Sequence, residues 1–387
     1  MRAMTVTRMG AASLGLRGSM PRLAIAVALL AAGLARGQAP ALSVQVLGSG
    51  GPRPSAQASS GTLVLVDGVP RILVDVGPGT LLRAGELKID LSAVDTVLLT
   101  HLHTDHAGEL PSFATARVLD GGRSVRLRVF GPGGNGGFPS TTAFVAALLG
   151  PKGAFRYVRH FGADLSIDSV DVITKPQSSS PARASLGEGL SLSALGHHHG
   201  DAPAVGFRIE HGGRSVVLVG DVDPSGLPAV ERLARDADLL VISCSVLDPP
   251  DSPPALYERH SPPGEIGAMA ARARVGAVLC AHLPPAVSAR ADAVRRSIGA
   301  RFTGPLTLAS DGLLVRVEAA PAAARPDAGR GQCRTDGDCA AGQSCFLCGE
   351  QGTCLAASCE TTGCPPGSVC RPVNCIRCPC PPQCVGR

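Results

Sequence analysis
Four times in this chain a short apolar run, rich in β-branched residues, stops on a histidine or an aspartate. "DTVLLT" (Asp95–Thr100) leads to His101, and the run Leu192–Leu195 leads to His197, His198 and His199. "SVVLVG" leads to Asp221, and "AVLCA" leads to His282. Runs of this kind read as buried strands. Their shared ending predicts a sheet that presents its polar side chains along one edge, where α/β folds place their sites. The densest cluster is "HLHTDH" (His101–His106), which puts three of the ten histidines and an aspartate into six positions. "AGELPSFA" follows it as the start of a helix.

Further apolar runs predict strands near Leu42–Leu47, Thr62–Val66, Ile72–Val76, Val125–Phe130, Val205–Ile209, Leu239–Ile242 and Leu313–Val317. Helical patterns fall near Thr142–Leu149, Pro228–Asp236 and Pro262–Arg274, the last with Ser261 as N-cap and Pro262 at the first helical position. "PQSSSPARA" (Pro176–Ala184) reads as a polar loop. Strands with interspersed helices over about 280 residues suit one layered α/β domain.

Neutral imidazole and carboxylate are ligands that Zn²⁺, Fe and Mn²⁺ accept. His101 and His103, two apart, project to the same side of an extended segment. Asp105 and His106 follow as the chain turns, so they can face a second ion near the first. Each ion then needs further ligands, and the other strand ends offer the three consecutive histidines, Asp221 and His282. His160 and His211 stand alone and read as surface or satisfied histidines.

The series "HLHTDH", "HHHGDAPAVGFRIE", "VGDVDPS" and "CAHLPP" resembles the metallo-β-lactamase superfamily, in its ribonuclease Z and arylsulfatase-like branch. The openings "VQVLGSGGPRP" and "ILVDVGPGT" resemble that branch too, and the likeness runs from Leu42 to Val317. It implies a four-layer αβ/βα sandwich with the site at one edge. It also implies two divalent ions, zinc by default with manganese or iron as alternatives. His101, His103 and His199 would hold the first ion, and Asp105, His106 and His282 the second, with Asp221 bridging. The choice of His199 rests on the match of "HGDAPAVGF"; His197 is the alternative, since it could share a face with His199. Asp75 is read either as an acceptor for a ligand histidine N–H or as a capping carboxylate before a glycine turn. His260, in "ERHSPPG", matches the family's His-Ser/Thr pair, which implies a donor to the leaving group or to a substrate oxygen; a surface histidine beside a helix cap is the other reading.

The ends of the chain read differently. Residues 1–37 carry five arginines and no acid around the apolar run Leu23–Ala35, which is too short for a comfortable membrane span. They read as a secretory signal peptide, with an uncleaved anchor as the alternative. Without them the formal charge of +5 disappears, leaving 31 basic and 31 acidic residues. Glu318–Gln332 is an Ala/Pro/Gly-rich linker, and twelve of the fourteen cysteines follow it between Cys333 and Cys384. In an exported chain such density reads as a disulfide framework; zinc is the alternative, because Cys345/Cys348 and Cys375/Cys378 are C-x-x-C pairs. Cys244 and Cys280 fall in apolar runs and read as buried thiols. The domain expectation is therefore a signal peptide over 1–37, a hydrolase domain over 38–317, a linker over 318–332 and a small disulfide-rich module over 333–387.

A balanced charge and 3 % aromatic residues argue against holding a polyanion or stacking single strands. No long glycine- and basic-rich arm is visible. With the resemblance, which implies phosphodiesters or aryl sulfate esters, the expected function is a secreted binuclear hydrolase with a small-molecule ester as substrate and nucleic acid disfavoured. Two shared ions would acidify a bridging water to hydroxide, with Asp105 and His260 as catalytic groups. The alternatives are another ester, lactone, thioester or β-lactam, or a surface-binding protein whose Cys-rich tail grips a surface or polymer beside a non-catalytic metal domain.

Overall fold
The computed structural model describes residues 42–319 apart from 121, 123, 174, 177 and 179. It also describes the backbone of five short strands between 332 and 386. The expected signal peptide, almost all of the linker and the side chains of the Cys-rich module lie outside the described residues.

Within residues 42–319 the strands are β1 (Leu42–Gly48), β2 (Gly61–Val66), β3 (Val69–Val74), β4 (Thr96–Leu98), β5 (Ser124–Pro132), β6 (Asp164–Val172) and β7 (Ala182–Gly187). They continue with β8 (Leu190–His197), β9 (Ala204–His211), β10 (Arg214–Val219), β11 (Leu239–Ser243), β12 (Ala277–Ala281), β13 (Leu306–Leu308) and β14 (Leu314–Arg316). Two seven-stranded sheets result, in the orders β14-β1-β2-β3-β4-β5-β6 and β13-β12-β11-β10-β9-β8-β7. Each has an antiparallel meander passing into parallel strands: β3 to β6 in one, β10 to β13 in the other.

The apolar runs are continuous because both faces of each sheet are covered. In β10, Val216 and Leu218 join Val44, Val64 and Ile72 in a core between the sheets, while Val217 and Val219 turn outward under helices. The helix Leu110–Asp120 covers the outer face of the first sheet through Phe113, Ala114 and Val118. The helix Pro263–Ala273 covers the second through Ile266, Met269 and Ala270. This is the four-layer αβ/βα sandwich, and each side chain fully removed from water contributes roughly 1.5–3 kcal/mol to it. Cys244 and Cys280 are buried thiols within the same core.

Three local expectations shift. Pro176–Ala184 is not all loop, since Ala182–Gly187 pairs with β8 through a turn at Gly187–Gly189, where both glycines take positive φ. As an edge strand it needs no apolar alternation to be held. β6, also an edge strand, escapes notice for the same reason. Ser261 does not cap the helix that follows; its hydroxyl donates to the Val222 carbonyl, and the helix begins at Pro263. Among the described residues no helix is long and apolar enough to cross a membrane.

Candidate metal centre
The four strands that carry the expected ligands all end at the same place. β4 points its carboxyl end towards His101, and β8, β10 and β12 point theirs towards His199, Asp221 and His282. The two sheets meet there: the Val205 N–H donates to the Thr100 carbonyl, and a side chain on Gly220 would begin 2.3 Å from the Thr100 hydroxyl. The glycine before Asp221 is therefore a requirement of close approach. His282 and Asp75 both adopt left-handed backbone (φ 53° and 58°), each at a cost of roughly 1–2 kcal/mol. Strain of that kind persists where surrounding structure imposes it.

Seven side chains converge. The ligand atoms of His101, His103 and His199 lie within 4.8 Å of one another, as do those of His101, His106 and Asp221, and those of Asp105, His106 and His282. Asp221 lies between the groups, its Oδ2 3.8 Å from both His106 Nε2 and His199 Nε2, and its Oδ1 3.7 Å from His282 Nε2. All but His103, which is half-buried, are buried. His260 stands at the rim, its Nδ1 3.9 Å from Asp221 Oδ2. Of the three consecutive histidines only His199 enters the cluster. His197 turns into the core beside Gly206, and the exposed His198 pairs with Asp223. His160 is exposed on a turn of 3₁₀-helix, and His211 closes β9; neither is near the cluster.

Hydrogen bonds from behind fix which nitrogen faces inward. His106 Nδ1 lies 2.7 Å from Asp75 Oδ2, so the acceptor reading of Asp75 holds; the same carboxylate accepts from the Thr100 N–H and hydroxyl. His199 Nδ1 donates to the Arg259 carbonyl at 2.8 Å, and His282 Nδ1 pairs with the Ser245 hydroxyl at 2.8 Å. Each bond leaves Nε2 free to point at the cluster. Ser245 and the Arg259 carbonyl are absent from the sequence-level expectation. Ser245, two residues beyond β11, was findable as another polar residue after an apolar run.

The electrostatics suit a cation. Burial presses the imidazoles of His101, His103 and His199 towards the neutral, ligating form. Burial acts the same way on His106, but the Asp75 carboxylate outweighs it and lifts that imidazole to about 9. For Asp221, burial favours protonation, yet the imidazoles of His282, His106 and His260 hold it ionised. His106 Nε2, His199 Nε2, Asp221 Oδ1 and His260 Nδ1 are buried without any hydrogen-bond partner. An unmet buried polar atom costs about 1–3 kcal/mol, and here four of them surround one space. The donor set fits divalent ions.

The sequence profile of the Beta-lactamase superfamily domain matches residues 70–283. Ribonuclease Z of Mycobacterium avium (strain 104) is 31% identical over 290 residues, which span 72% of this chain and 99% of the relative. The metallo-β-lactamase-fold protein YhfI of Bacillus subtilis superposes with a TM-score of 0.55 at 21% identity, over 71% of this chain and 99% of that one. The short form of human tRNase Z gives 0.54 at 18% identity with the same coverage, which speaks for the fold alone. The chain belongs to the metallo-β-lactamase superfamily and is a metal-dependent hydrolase acting on ester bonds. Within that superfamily its sequence relatives include ribonuclease Z enzymes.

That last finding overturns one expectation. A small-molecule ester as substrate, with nucleic acid disfavoured, does not stand against relatives named for cleaving RNA. The physical reason is that net charge is a sum over the whole surface, whereas a polyanion is held by local groups near the path of its backbone.

Proposed function
We propose that this chain is a two-zinc phosphodiesterase that cleaves RNA. The observation that carries the reading is the cluster of seven histidine and aspartate side chains converging from four strand ends, three of their buried atoms unpartnered, in a chain related to ribonuclease Z. His101, His103 and His199 would hold one ion and Asp105, His106 and His282 the other, with Asp221 reaching both. When bound, such ions acidify water and polarise a phosphoryl oxygen.

The chain's own groups do the rest. Burial works to protonate Asp105, but the His282 hydrogen bond and the neighbouring His106 keep it a carboxylate. It therefore acts as an acceptor that orients the attacking water rather than as a strong base. Burial holds the His260 imidazole neutral, down to about 4. Its ring N–H is a hydrogen-bond donor to the departing oxygen. Asp75, Ser245 and the Arg259 carbonyl keep the three imidazoles from rotating.

Export is part of the proposal. The arginine-flanked apolar run and the twelve clustered cysteines support a signal peptide over 1–37, a catalytic domain over 38–317, a linker over 318–332 and a disulfide module over 333–387. Only 21 residues separate His199 from Asp221, and they are filled by the β9–β10 hairpin, so no RNA-gripping arm is inserted there.

The test is cleavage of a labelled 20-nucleotide RNA, of bis-nitrophenyl phosphate and of nitrophenyl sulfate, with bound metal counted by mass spectrometry. Two zinc ions per chain and RNA cleavage abolished by Asp105→Ala are expected. Turnover of the sulfate with intact RNA would overturn the substrate, and a chain that takes up no metal would overturn the site.

A further inference from the structure
Three of the chain's eleven aromatic residues fall within seven positions, Phe155 to Phe161, and all three are exposed. Tyr157 is 57 % and Phe161 56 % exposed, which is unusual for large rings in a chain this poor in them. They are not loosely hung. Phe155 and Tyr157 meet edge to face at 6.5 Å, and Tyr157 and Phe161 at 6.0 Å. Val158 between them is fully buried, and the preceding backbone is tied to the helix Thr141–Leu149 by bonds from the Ala154 and Phe155 N–H groups. Basic residues alternate with the rings: Lys152, Arg156, Arg159 and His160. Arg156 has no acid within ion-pair distance among the described residues, and Arg159 is steadied by the Leu149 carbonyl. Among the described residues the acid paired with the patch is Asp164, 4.0 Å from His160 and exposed like it. An open cavity of about 450 Å³ lies among Pro151, Arg156, Tyr157, Arg159 and His160.

The geometry points to a second binding site, for single-stranded RNA, in which bases stack on Tyr157 and Phe161 and phosphates meet Arg156 and Arg159. Alternating rings and cations are what such a strand recognises, because every base has a flat face and every linkage a charge. The inference rests on the RNA reading above and extends it. The patch precedes the start of β6, which runs parallel to β5 and β4, while the metal centre lies beyond the carboxyl end of β4. The nine residues of β5 therefore set a separation of roughly 30 Å. At about 3.4 Å per nucleotide in a stacked strand, about nine nucleotides span that distance. The patch holds the body of a substrate, not its scissile linkage.

The experiment uses the full-length, zinc-loaded protein and a fluorescein-labelled 20-nucleotide phosphorothioate RNA, read by anisotropy. Tyr157→Ala with Phe161→Ala should weaken binding about tenfold, and Tyr157→Phe with Phe161→Tyr should restore it, since stacking needs only the rings. Arg156→Ala should reduce the slope of log affinity against log salt by about 0.7. Hydrolysis of bis-nitrophenyl phosphate should be unchanged in all of them, and KM should rise for a 20-nucleotide RNA but not for a five-nucleotide one. Wild-type RNA affinity in the double alanine variant would overturn the inference. So would patch-dependent binding to 70:30 phosphatidylcholine–phosphatidylglycerol vesicles with RNA ignored. RNA bound through the patch but never cleaved would instead overturn the proposed activity and leave the second site standing.

Discussion

His197 and His199 are two positions apart and have opposite fates. His199 keeps one nitrogen bonded to the Arg259 carbonyl and offers the other to the cluster; His197 is buried with Nε2 unpartnered among apolar side chains. Burial holds the His197 imidazole down at about 4. The unfolded chain has an ordinary histidine near 6.5, so between 6.5 and 4 it binds the proton that the folded chain refuses. Stability from this residue is intact above pH 6.5 and is lost as pH falls towards 4, by about 3 kcal/mol at about 1.4 kcal/mol per pH unit. Urea unfolding should show wild type losing that much more than His197→Leu between pH 7 and pH 4. Parallel curves would show that His197 is not buried as a neutral ring. At this scale the sequence presents three equivalent histidines. The difference between them comes from Arg259 and Gly206, neither of which is a sequence neighbour.

At the scale of elements, the centre depends on turns that admit no side chain. A Cβ on Gly77 would begin 2.0 Å from the Asp105 carbonyl oxygen, so the β3 turn and the short helix Thr104–Ala107 touch through bare backbone. Gly77→Ala should cost about 2–3 kcal/mol, seen as a lower Tm, and should reduce bound metal because Asp105 moves with its helix. Gly85, in the helix Thr80–Glu86, has nothing within 4 Å of its Cβ position and no positive φ. Gly85→Ala should raise stability by about 0.4–1 kcal/mol with metal content unchanged. If both variants behave alike in melting and metal content, close packing at Gly77 is not what positions Asp105. The covered strands β10 to β12 are readable from composition because two buried faces demand unbroken apolar runs, and β1, β5 and β8 from the alternation of a strand with one face more buried than the other. The edge strands β6 and β7 are not, because hydrogen bonds to one neighbour hold them without that pattern.

For the whole molecule, the cluster concentrates two carboxylates and five imidazoles in a space that protein groups alone leave unsatisfied. Bound ions should therefore stabilise the fold as well as serve the reaction, by about 4 kcal/mol when metal stands a thousandfold above its Kd. Chelation should lower Tm by several degrees and abolish phosphodiester hydrolysis, and added zinc should restore both. An unchanged Tm after complete metal removal would mean that the site is preformed without cost. The sequence by itself marked the strand ends that meet at the cluster, since an apolar run leads into each group of histidines or aspartates. That relation is local. It also determined the layered architecture, through runs covered on both faces. Only the tertiary structure decided which consecutive histidine faces inward, that Asp75, Ser245 and the Arg259 carbonyl orient the imidazoles, and that exposed rings and arginines gather at the far edge of the first sheet. These depend on groups tens of residues apart brought within about 3 Å, or on local exposure, and neither is carried by composition or summed charge.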